Sequence, residues 1–151
     1  MLKGTGYLDH DSEADVAIRN GLAAKAEELE AKAANPFIFD LTIPKNNWRI
    51  RMYGALDMVA LALAEHPSAD DWHTMAEGII QSTLDYQIAS ENEGGFAEGP
   101  YYMAYSADIY YPHLMAYQRV MGESPPWTHQ VQTLFDWGIK IRLPDGQRPN
   151  I

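Results

Sequence analysis

Asn47 and Arg51, in the stretch PKNNWRIRMYG, stand four residues apart, so on a helix they share one face. Gly54, a further turn along, adds no bulk above them. An amide beside a guanidinium can hold a carboxylate through directed hydrogen bonds. Lys45, Arg49 and Arg51 also gather three positive charges in a chain whose formal net charge is −10. The plainer account is that Asn46 caps a helix and the arginines are solvated or paired with acids.

A second stretch that could do chemistry is EGGFAEGPYYMAYSADIYYPHL, residues 93–114. Six of the nine tyrosines fall between Tyr101 and Tyr117. Leucine or phenylalanine would fill a core without a hydroxyl that needs a partner, so these rings either line a polar cleft or are core with wet tips. On a helix, Tyr102, Tyr105 and Ser106 would share one face, and Tyr110, His113 and Tyr117 another. Glu98-Gly99-Pro100 ends the preceding loop sharply and sets Tyr101 and Tyr102 in a first helical turn. Metal chemistry has little support, because no two of the five histidines stand at ligand spacing on one helix. No nucleophile elbow, phosphate loop or dinucleotide fingerprint occurs, and no cofactor is expected.

The elements that must position these residues read as helices. Residues 12–34 have Ser12 as N-cap and Ile18, Leu22, Leu29 and Ala33 on one stripe, with Asn35-Pro36 as a stop. Residues 37–44 read as extended. A second helix, 46–65, carries Met52, Leu56, Val59 and Leu63 and is apolar on most sides, which predicts burial. The third helix begins after Ser68 with Asp70 and Asp71 in its first turn, and Trp72, Met75, Ile79 and Tyr86 read as its core face. After a loop over 91–99 the tyrosine helix spans 101–121, with Pro112 expected to kink it and Gly122 to cap it. Ser124-Pro125-Pro126 opens a last helix with Val131, Leu134, Phe135 and Ile141, and LPDGQRPNI is turn chemistry. With no repeat and no β-α-β alternation, the expected fold is a single all-α domain, residues 1–151, of about five helices in antiparallel hairpins.

Composition agrees with one domain: 151 residues with 46% hydrophobic content can bury a core. The charge of −10 argues against nucleic acid and anionic membranes as partners. There are no cysteines, so disulfides and thiolate chemistry are excluded. No apolar run reaches the roughly 20 residues of a membrane helix, and residues 1–15 carry no apolar signal core.

NNWRIRMYG followed by GGFAEGPYYMAYS resembles the toroid domain of heparinase II/III-like polysaccharide lyases, and more distantly alginate lyases, over residues 46–121. The resemblance implies part of an incomplete α/α toroid. It also implies β-elimination on a uronic-acid glycan, in which the C5 proton is removed and the 4-linked sugar expelled. Asn47 matches the family's carboxylate-contacting asparagine and Tyr102 its catalytic tyrosine. Around them Asn46, Trp48, Arg51, Glu98, Tyr105 and His113 are the candidate substrate-binding residues. An amide and an arginine would stabilise the enolate-like oxygens, and a phenol, ordinarily titrating near pH 10, needs cations nearby to serve as base.

The chain departs from the family in one position, since Trp48 stands where alginate-lyase relatives have a histidine. His113 is the alternative second acid/base, although no motif supports it. The family's toroid has more helices and is followed by a β-sandwich, so the chain reads as a fragment. It would be periplasmic or secreted if part of a full lyase. Apolar helix faces left over by half a toroid would need the remaining helices or a homo-oligomer to cover them. Two other readings stand beside the lyase. One is a toroid glycoside hydrolase using two carboxylates, with Glu98 and Asp108 on offer. The other is a non-enzymatic helical module that binds carbohydrate or protein through its tyrosines.

Overall fold

The computed structural model describes residues 12–33, 47–88, 95, 96, 98–142, 145 and 146. The expected extended run at 37–44, Asn46 and most of the 91–99 loop lie outside them. The described residues form an all-α fold of five helices: α1 (Glu13–Ala33), α2 (Asn47–Ala62), α3 (Ala69–Gln87), α4 (Gly99–Met121) and α5 (Thr128–Lys140).

Helix ends follow local chemistry. Ser12 accepts a 3.2 Å hydrogen bond from the Asp15 amide, so it caps α1 as expected. Gly122 closes α4 at φ +77°, a left-handed conformation that glycine adopts without steric cost. Gly146, at φ +80°, forms part of the turn expected in the tail. Before α5 the Thr128 hydroxyl donates to the Pro125 carbonyl at 2.6 Å, so the chain turns at the two prolines and the helix starts two residues after them. Helix α4 runs through Pro112 as one element, with Pro112 on its exposed side.

Helix α2 is the centre of the fold and touches α1, α3 and α4, as its nearly all-round apolar sequence predicted. Pairings between α2 and α4 rise in step: Asn47 with Glu98, Arg51 with Tyr105, Gly54 with Ile109 and Asp57 with His113. The two helices are therefore parallel. Helix α3 meets α4 at Tyr117, which contacts both His73 and Glu77. Helix α5 is antiparallel to α4, since Tyr110 neighbours Trp127 and Met103 neighbours Gly138.

The core is Ile50, Tyr53, Leu56 and Ala60 of α2, Trp72, Ala76, Ile80 and Leu84 of α3, Met103 and Tyr110 of α4, and Trp127, Val131 and Leu134. Two expected stripes differ. On α1, Ile18 and Leu22 are exposed, while Ala26 is buried and Glu30 accepts the Trp72 indole N–H at 2.9 Å. This helix docks through small alanines and polar anchors, including an Arg19–Glu65 ion pair, instead of its larger apolar residues. On α3, Met75 is exposed and Ala76, Ile80, Thr83 and Gln87 face inward, because the helix must serve both α2 and α5.

Candidate functional site

The N-terminal ends of α2 and α4 come together because the helices are parallel. Asn47 is only 2% exposed and donates twice to Glu98: its backbone amide reaches Oε2 at 2.5 Å and its Nδ2 reaches Oε1 at 3.1 Å. The carboxylate thus binds the open end of α2, where backbone N–H groups and the helix dipole favour negative charge. One turn along, Arg51 donates through Nη1 to the Tyr105 carbonyl at 2.7 Å and lies 3.9 Å over the Tyr105 ring. Tyr102 meets Tyr105 edge-on at 6.5 Å and Tyr101 at 5.5 Å. It is 43% exposed. Trp48 and Tyr101 are exposed at the same end.

Asn47, Arg51, Glu98, Tyr102 and Tyr105 are therefore one cluster, although about 50 residues separate its two halves in sequence. Gly54 does not hold a face open for a ligand. A Cβ there would stand 2.9 Å from Ile109 Cγ1, so its missing side chain makes room for α4. Ser106 also leaves the expected hydroxyl face, being fully buried while Tyr102 and Tyr105 are exposed. The face of Tyr110, His113 and Tyr117 is core throughout.

His113 belongs to a different constellation. At 1% exposure it is sealed between helices and paired with Asp57 Oδ2, while Asp57 Oδ1 lies 2.6 Å from His73 Nδ1. Each imidazole turns an N–H toward the buried carboxylate, which satisfies both oxygens. The His113 ring packs at a tilt of 41° against Trp127, centroids 4.9 Å apart, and Tyr117 beside His73 donates to Glu77 at 3.1 Å. Burial, reinforced by the Glu77 charge, pushes the Tyr117 phenol up to about 12. The Asp57 level lies ten residues along α2 from Asn47, about 15 Å at the helical rise. His113 therefore does not share the tyrosine cluster.

This polar core is the feature that the sequence reading missed. One signal could have found it: Asp57 is the only acid within the apolar run of α2, and a buried carboxylate must bring partners with it. The hydrolase pair fails on geometry. Glu98 is bound to α2, whereas Asp108 lines a cleft toward α5, and ten residues of continuous helix put about 15 Å between their backbones. A carboxylate pair for glycoside hydrolysis needs roughly 5–9.5 Å. Among the described residues no His, Asp and Glu group could hold a metal ion, and no helix is long and apolar enough to cross a membrane.

The fold and the cluster together define an all-α protein with a cation and exposed tyrosines at one end of two parallel helices. Comparison of the chain with family models, curated proteins and solved structures finds no match.

Proposed function

We propose that the joined ends of α2 and α4 recognise a uronic-acid-containing glycan and carry out β-elimination on it, within an incomplete α/α toroid. The observation that carries this reading is the setting of Arg51. Among the described residues no carboxylate pairs with it, and it lies stacked on Tyr105 with the exposed Tyr102 next in line. An acidic chain with a cation held at an aromatic surface has the local field a polyanionic sugar needs, whatever its total charge. The alternation of α2, α3 and α4, with α2 and α4 parallel, also suits a toroid's succession of hairpins.

In this reading the glycan carboxylate is met by Arg51 and the sugar rings lie on Trp48, Tyr101 and Tyr105. Tyr102 takes the C5 proton, the electron pair forms the C4–C5 double bond, and the C4–O bond breaks with its pair leaving on the departing sugar. That oxygen then collects a proton, from Tyr102 or from water. Charge accumulating on the carboxylate oxygens is stabilised by the guanidinium, and by the Asn47 amide if the substrate displaces Glu98. Before that displacement the Asn47 amide serves an internal carboxylate. That hydrogen bond favours a second reading, in which the surface binds acidic glycans without turning them over.

The test uses heparinoid, hyaluronan and alginate oligosaccharides, following binding by calorimetry and product by the ultraviolet absorbance of the unsaturated uronyl end. Tyr102→Phe should abolish the absorbance and keep binding, while Arg51→Ala should weaken binding about tenfold or more. Binding without absorbance in the parent protein selects the second reading. Absence of both overturns the proposal.

A further inference from the structure

The opposite side of α4, away from α2, is a cleft against α5 of about 460 Å³ whose floor includes Met103, Tyr111 and Phe135. Its walls carry opposite charges: Asp108 on α4 and Arg142 just beyond α5. Among the described residues neither has an ionic partner. The apolar surface does not stop at the cleft: Ile139 lines it and is 63% exposed, and Met115, which lies outside the lining, is 69% exposed. A small molecule filling the cleft would leave Met115 in water, so the surface fits a protein partner better than a metabolite.

We infer that this α4/α5 surface is the interface of a two-fold symmetric homodimer. A two-fold axis makes each patch meet its own copy, so a residue on one wall faces the residue of the other wall in the second chain, twice over. Asp108 and Arg142 are self-complementary in that sense, and rotation brings the carboxylate of each chain to the guanidinium of the other. The pairs fix register and orientation, and burial of Tyr111, Met115, Phe135 and Ile139 provides the drive. The formal charge of −10 on each copy opposes association at low ionic strength. At about 0.15 M salt the screening length falls to roughly 8 Å, and the short-range contacts prevail. The glycan cluster lies on the α2 side of α4, so the dimer stands or falls independently of it.

Sedimentation equilibrium of the full chain at about 0.15 M salt tests this. The parent protein should be dimeric at micromolar concentration. Asp108→Arg and Arg142→Asp should each weaken the dimer more than about tenfold, because each places like charges opposite one another at two points. Both positions are exposed in the single chain, so circular dichroism should be unchanged. The unfolding midpoint should fall only to that of the parent diluted until it is monomeric. Mixing the two single variants should restore a dimer containing one chain of each, since their charges are again complementary. A monomeric parent, reversals that leave the dimer intact, or a mixture that stays monomeric would each overturn the inference.

Discussion

Taking the imidazole from position 113 would leave one oxygen of Asp57 buried without a partner and open a hole against Trp127. Removing one member of such a buried pair costs about 3–5 kcal/mol, so His113→Ala should lower stability by that much in urea unfolding. His73→Ala should cost less, because its ring is partly exposed and water can replace it at Oδ1. Glu28 makes the contrasting case at the surface. Hydrogen bonds from Lys25 and Lys32 on α1 hold its carboxyl down to about 2 from an ordinary 4.5. A depressed acid contributes stability above its unfolded value and loses it as pH falls, so the window here runs from 4.5 down to about 2. The carboxyl carbon signal of Glu28 should titrate in the lower part of that window, and salt or a double Lys25→Met, Lys32→Met change should move it upward. Neither site was equally legible. The Lys–Glu–Lys spacing is written within one helix, whereas Asp57, His73 and His113 meet from three helices and no local pattern relates them. His113 drew notice as one ring among the tyrosines and as a second acid/base, although eleven residues of a single helix already put its backbone about 16 Å from that of Tyr102.

Between elements, the closest approach is set by glycine. At Gly54 a methyl would stand 2.9 Å from Ile109 Cγ1, a branched carbon held by the α2–α4 packing. Gly54→Ala should therefore destabilise by about 1–3 kcal/mol despite the better helix propensity of alanine, and Ile109→Ala in the same chain should recover part of the loss. At Gly138 the methyl would come even nearer, 2.6 Å from Met103 Cε, but that atom is the free end of a flexible side chain. Gly138→Ala should thus be close to neutral, and paired denaturation curves would expose an inverted order. The glycine in α2 was noticed in the sequence as open space, and what fills it was not readable there. The helices themselves were readable, because apolar spacing, the Ser12 cap, the Gly122 stop and the Pro125-Pro126 turn are local signals. Which stripe faces inward was harder. Helix α1 has a weak apolar stripe, so partners decided its orientation: Trp72 drew Glu30 inward and left Ile18 in water. The tyrosines divided the same way, with Tyr110 and Tyr117 taken by the core and Tyr101, Tyr102, Tyr105 and Tyr111 left outside. Their spacing along α4 gave the faces, while the positions of α2 and α5 chose between them.

The whole molecule should be markedly sensitive to alkali. Burial pushes the Tyr110 phenol well above its ordinary value of 10.0, raises Tyr53 against the opposing charge of Arg49, and, with Glu77, lifts Tyr117 to about 12. In each case the fold prefers the neutral hydroxyl and the unfolded chain releases the proton first. Stability from a raised group is complete below the unfolded value and is lost as pH climbs toward the folded one. The urea midpoint should therefore hold level up to pH 10 and fall steeply toward 12. Lysines lose their charge over the same range, and the chain, already at −10, repels itself more strongly. Single variants separate the two causes. Glu77→Gln removes the nearest negative charge from Tyr117 and should bring its ionisation down, making the alkaline fall shallower. Tyr117→Phe should remove that contribution altogether while leaving the lysine effect in place. If both variants kept the full steepness of the parent, Tyr117 would have no part in the alkaline fall, which would then belong to Tyr110, Tyr53 and self-repulsion.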